Sequence, residues 1–191
     1  MNLLILGLAL FLGVHSVGIL APTWRERMVA RLGLMPWRGL YALISLVGFV
    51  LMVWGYGQSR IDPVGLYAPP IWTRHLALLL LVPIFPLLLA TYLPGRISAT
   101  VKHPMLTAVK LWALAHLLAN GNLADVVLFG TLLAWAVADR VSLKRRTMPS
   151  VPSAPAGKAN DWIALVAGLA LYVAFIGGLH LWLIGVSPLG H

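Results

Sequence analysis

The chain contains no cysteine. That absence excludes disulfides, thiolate-held iron–sulfur clusters, a cysteine zinc ribbon and the C-x-x-C-H attachment of a c-type haem. Acids are almost as scarce, being limited to Glu26, Asp62, Asp125, Asp139 and Asp161 among 191 residues. Zinc and di-iron sites in helical bundles place carboxylates beside histidines, and none of these acids falls in the middle of an apolar run. A serine triad therefore lacks a buried acid to orient its base, and there is no glycine-rich phosphate loop.

What is present is apolar. Hydrophobic residues make up 60% of the chain and charged residues only 10%, with a mean hydropathy of +0.90. A domain of this size cannot hide so much apolar surface from water, which makes it an all-α integral membrane protein in contact with membrane lipid. The net charge of +9 does not indicate nucleic acid. The basic residues fall in short connections between apolar runs, where they mark loops facing anionic lipid.

A helix needs about 20 residues to span the hydrocarbon. Six segments meet or approach that length: Asn2 to Ala21, Trp37 to Tyr56, Trp72 to Leu93, Pro104 to Ala119, Asn122 to Ala138 and Asp161 to Ile184. The fourth is short and is expected to extend through Lys102 into the headgroups. The first has no basic leader and no small-residue cleavage site, so it is read as a retained span. Together they predict a bundle of six transmembrane helices in a single domain, residues 1–191. The first, third and fifth connections carry Arg25, Arg27, Arg31, Arg38, Arg96, Lys102, Arg140, Lys144, Arg145, Arg146 and Lys158, against Arg60 and Arg74 in the second. The positive-inside rule places both termini on the non-cytoplasmic side.

Three local features refine this picture. The stretch "RERMVARLG" has the pattern of a short amphipathic helix in the interface. "LVPIFP" carries Pro83 and Pro86, which remove backbone donors and are expected to bend or break the third span. The loop "SLKRRTMPSVPSAPAGKAN" combines a basic cluster with Pro, Ser and Ala, and residues 144–160 are read as a flexible cytoplasmic tether.

The expensive residues inside the apolar runs are His15, His103, Lys110, His116 and His180, with His75 at a span end and His191 at the terminus. At 100° per residue, His103 and Lys110 share a helix face to within about 20°, whereas His116 points about 140° away. An intramembrane histidine can simply bond a carbonyl on a neighbouring helix, and Lys110 can snorkel or meet a partner in a cavity. Histidines on separate spans also offer the standard way for a bundle to hold a non-covalent b-type haem. His15 shares a face with Gly7, Phe11 and Gly18, small and aromatic residues that would admit a flat ring or serve helix packing. Trp112, one turn before His116, would stack on such a ring or fill the core.

Several motifs, taken together, resemble the NnrU family, relatives of the zeta-carotene isomerase: "GVHS", "KHPM" followed by "LWALAHLLANGN", "LFGTLLAWAVADR" and "LHLWLIGV". The resemblance implies a multi-pass protein of the bacterial inner (cytoplasmic) membrane, linked to denitrification and nitric oxide metabolism. It also implies a b-type haem with two histidine ligands, which fall on His15 and His116. The isomerase relative has a cysteine three residues before the second ligand, where this chain has Ala113, so ligand exchange through that thiol is excluded. Straight helices would offset His15 and His116 by roughly 9 Å in depth. The alternative is His15 with His103 on the inner side and His116 with His180 or His75 on the outer.

Three functions follow. In the first, the haem serves redox or isomerase-like chemistry on a hydrophobic or gaseous ligand. In the second, "KHPM" resembles the R-H-P motif of membrane methyltransferases that use S-adenosylmethionine, although the acidic pair those enzymes carry on a later segment is missing. In the third, the chain is a non-enzymatic partner or assembly factor of a respiratory or nitric oxide reductase. An enzyme and a haem-carrying subunit would show the same ligands, and an oligomer is compatible with all three.

Overall fold

The computed structural model describes residues 1–146 and 152–189; His191 and part of the 144–160 loop lie outside the described residues. In chain order the helices are α1 (Asn2–Leu20), α2 (Pro22–Leu32), α3 (Leu34–Ser59), α4 (Ile71–Leu81), α5 (Ile84–Tyr92), α6 (Arg96–Val101), α7 (Pro104–Ala119), α8 (Leu123–Ser142) and α9 (Asn160–Ala174). A π-helical turn, Phe175–Leu179, then leads into α10 (His180–Ile184). Among the described residues the regular structure is helical, apart from an isolated bridge between Gly65 and Asn122.

Among the described residues, four stretches are long and apolar enough to cross a membrane: Asn2–Leu20, Leu34–Ser59, Ile71–Tyr92 and Asn160–Ile184. They coincide with the first, second, third and sixth expected spans. Exposed apolar side chains such as Leu43, Leu46 and Trp54 suit a lipid-facing surface, because lipid imposes no penalty on them. α7 has 16 residues, a rise of about 24 Å against a hydrocarbon core of about 30 Å. α8 carries Asp125, Asp139 and Arg140, more charge than a lipid-facing span normally tolerates.

The chain divides into two compact units, Met1–Ala68 with Gly121–Lys144, and Pro69–Asn120 with Arg145–His191. In the first unit, α1 and α3 approach until their backbones touch, and glycine makes this possible. A Cβ on Gly7 would strike the Met52 backbone, one on Gly48 the Phe11 backbone, and one on Gly55 the Leu4 backbone. α2 begins at once after α1, with Pro22 at its first position, where a missing N–H costs nothing. α8 turns one face inward, burying Ala124, Asp125, Leu128, Phe129, Leu132, Ala136 and Asp139 at helical spacing. Its start is clipped to the segment after α3: Leu66 and Tyr67 N–H donate to the Gly121 carbonyl, and Leu123 N–H to that of Val64.

The second unit is assembled from interrupted helices. As the two prolines predict, the Ile71–Tyr92 span breaks between α4 and α5. Val82 N–H bonds the Leu79 carbonyl instead of reaching Leu78, and the Tyr172 hydroxyl from α9 donates to Leu78 O at 2.9 Å. The break thus frees a carbonyl that a distant side chain then satisfies. Gly168 of α9 lets the Pro86 backbone approach closely. Ile84, Leu87 and Ala108 form a core joined by Leu81, Leu88, Ile97, Val101, Leu111 and Trp112. Where α9 begins, Asp161 accepts from Arg96 and Ile97 N–H, and Asn160 Nδ2 donates to the Pro94 and Pro155 carbonyls. In the loop before α9, Ala154 N–H donates to Tyr92 O.

Candidate functional site

The first unit builds an aromatic nest around His15. Its Nδ1 lies 2.7 Å from the Phe11 carbonyl one turn earlier. A carbonyl oxygen can only accept, so Nδ1 carries the proton and Nε2 the lone pair. The Phe11 ring centroid is 4.2 Å from that of His15, Tyr41 of α3 is at 5.2 Å, and Trp135 of α8 meets it edge-on at 5.9 Å. Trp135 is held in turn by an Nε1–H bond of 3.0 Å to Ser16 Oγ. Asp139, only 5% exposed, lies one turn beyond Trp135 and acts electrostatically on both His15 and Tyr41. The sequence reading missed Tyr41, Trp135 and Asp139, although Trp135 and Asp139 stand four apart in the quoted motif and so share a helix face.

The second unit repeats the local geometry at His116. Its Nδ1 is 2.8 Å from the Trp112 carbonyl, and the two rings lie 5.0 Å apart at 51°. Here too the proton belongs on Nδ1 and the lone pair on Nε2. Asn120 closes the helix by donating its backbone N–H and its Nδ2 to the His116 carbonyl. Ala113, three residues before His116, is fully buried and serves packing.

The remaining histidines differ. His180 Nδ1 bonds the Val186 carbonyl at 2.7 Å, because Gly185 in the left-handed region folds the chain back over α10. The Phe175 ring is 6.4 Å from it across the π turn. His103 opens α7, its carbonyl accepting from Thr107 N–H and Oγ1. Its own N–H bonds Val101 O around Lys102, whose φ of 65° and ψ of −41° make a strained γ-turn. Lys110 is half-buried and His75 exposed. His15 belongs to the first unit, and His75, His103, His116 and His180 to the second.

Among the described residues no three His, Asp or Glu side chains gather to hold a metal ion. The histidines whose Nδ1 meets a carbonyl offer imidazole, a donor type suited to axial ligation of an iron that arrives already held by a macrocycle. Gly7 does not open a face for such a ring, because the Met52 backbone fills that space.

The family model described as NnrU protein matches residues 3–188. The chain belongs to the NnrU family. No curated protein and no solved structure matches it. NnrU membership and the long apolar helices are together consistent with a membrane protein related to denitrification.

A second polar centre in this NnrU chain lies at the other end of α8. Asp125, 3% exposed, accepts from the Tyr56 hydroxyl at 2.6 Å and from Asn122 N–H at 3.0 Å. The Arg60 guanidinium lies 6.0 Å over the Tyr56 ring. Desolvation and the Asp125 charge both raise the phenol pKa of Tyr67 in the adjoining loop. These contacts give the buried acid a structural role, closing the start of α8 onto the end of α3.

Proposed function

We propose that this NnrU protein binds non-covalent b-type haem through imidazole, the candidate ligands being His15 in the first unit and His116, with Trp112 beside it, in the second. The observation that carries the reading is the repeated geometry: at each histidine an aromatic one turn earlier lies against the ring while its carbonyl accepts the Nδ1–H hydrogen bond. This fixes the tautomer that presents Nε2 to iron and holds the ring at one angle, as a carbonyl partner does for metal-bound histidine generally. When bound, the haem would supply redox or isomerase-like chemistry on a hydrophobic or gaseous ligand. The protein's residues would orient it and exclude water. His103 and His180 are the reserve ligands.

The same proposal places the chain in the bacterial cytoplasmic membrane with both termini outside the cytoplasm. α7 and α8 then act as the fourth and fifth spans, the short length of α7 and the buried acids of α8 accommodated by neighbouring helices.

The test is an optical spectrum of the purified protein, oxidised and reduced, with a pyridine haem assay. A low-spin Soret band is expected, altered or lost in both His15→Ala and His116→Ala. Absence of haem from haem-replete membranes overturns the reading, and a spectrum unchanged in both variants overturns the choice of ligands. A fusion reporter that puts the C-terminus in the cytoplasm overturns the topology.

A further inference from the structure

α1 and α3 part below their glycine contacts and leave an open groove of about 260 Å³, walled by Gly13, Val17, Trp24, Trp37, Tyr41 and Ile44 among others. The volume lies below the roughly 300 to 1,000 Å³ of typical small-molecule sites. It suits a segment of one hydrocarbon chain and is too small for a macrocycle. The space beside Gly13 is open, since a Cβ there would meet nothing within 4 Å. At one end Trp24 and Trp37 meet edge to face with centroids 5.8 Å apart, and tryptophan of this kind favours the headgroup level.

α2 brings positive charge to that same end. Trp24 lines the groove and Arg25 follows it directly. Arg25 is half-buried while its neighbours Glu26 and Arg27 are exposed, and its guanidinium acts electrostatically on the Tyr41 phenol of the groove wall. An apolar slot ending at a tryptophan pair, with a half-buried arginine next in sequence, complements one acyl chain joined to a phosphate.

We propose that this groove is a binding site for an anionic phospholipid, with one acyl chain between α1 and α3 and its phosphate on Arg25. The site lies wholly within the first unit and does not depend on haem. Asp139 also acts on Tyr41, so the test must separate a guanidinium that serves lipid from one that serves this carboxylate.

The full-length protein is released from nanodiscs of equimolar phosphatidylglycerol and phosphatidylcholine, and its retained lipid is read by native mass spectrometry. Phosphatidylglycerol is expected to be preferred by about fivefold, the factor one basic residue contributes near an anionic surface. Arg25→Ala should bring the two lipids level, Arg25→Lys should keep part of the preference, and Gly13→Leu should lose retention of both. Equal retention by the unaltered protein overturns the proposal. So does an undiminished preference in Arg25→Ala, which would assign the guanidinium to Asp139. Phosphatidylglycerol and phosphatidylcholine with brominated chains provide a measurement that needs no variant: stronger tryptophan quenching by the anionic lipid supports the site, and equal quenching overturns it.

Discussion

The two units meet the same demand by opposite means. Both must satisfy backbone groups and pack helices where water supplies neither hydrogen bonds nor a hydrophobic drive between helices. The first does so with unbroken helices drawn together at Gly7, Gly48 and Gly55. The second accepts breaks at Pro83 and at the π turn, and at the Pro83 break a polar side chain, Tyr172, takes up the freed carbonyl. Its close glycine approach to backbone, Gly168 on Pro86, sits beside that break. Helix continuity therefore makes glycine the critical residue in the first unit, and discontinuity makes hydroxyl and amide side chains critical in the second. The same histidine geometry stands on both scaffolds, so it is a local device that does not depend on how the unit around it is built.

Substitutions at the glycine seam probe the comparison hardest. Gly7→Leu and Gly55→Leu should each cost about 3 kcal/mol through overpacking against backbone that cannot move aside. Gly130→Leu, at a position where an added Cβ meets nothing within 4 Å, should not destabilise, and helix propensity should stabilise it by up to about 1 kcal/mol. Reversible unfolding in detergent would measure both, and equal costs would dissolve the contrast. Next in size is Tyr56→Phe, which removes a donor from the buried Asp125 and should cost about 2 kcal/mol.

In the second unit, Tyr172→Phe should cost about 1.5 kcal/mol by stranding the Leu78 carbonyl. The cost should largely vanish in a Pro83→Ala background, where the helix regains its own donor. A double-mutant cycle showing simple additivity would refute the link between break and hydroxyl. The smallest effect is expected for Ser16→Ala, about 0.5 kcal/mol from loss of the Trp135 acceptor. Its informative readout is any change in the optical spectrum assigned to His15.

Much of the architecture was legible because it is local. Apolar runs of span length mark α1, α3 and the Ile71–Tyr92 and Asn160–Ile184 stretches, and Pro83 announces its own break. The histidine geometry carried a signal too: Phe11 and His15, like Trp112 and His116, stand four apart, an aromatic one turn before each histidine. Phe175 and His180 stand five apart across the π turn, and there Nδ1 bonds the Val186 carbonyl instead. Asp125 and Asp139 read as polar residues at the two ends of a span. Nothing local showed that both would be turned inward.

Helicity in an apolar solvent is the part of this protein that its sequence determined alone. Each span must satisfy its own N–H and C=O groups within a few residues, so composition and proline position are sufficient to define it. Tertiary structure decided which helices share a unit, joining α8 to α1 and α3 across most of the second unit's sequence. It also decided that Gly7 would face Met52 while Gly13 bordered open space, and that Tyr172 would find the Leu78 carbonyl. These pairings join residues far apart in the chain, and the shapes and unmet hydrogen bonds that select them exist only once the helices have packed.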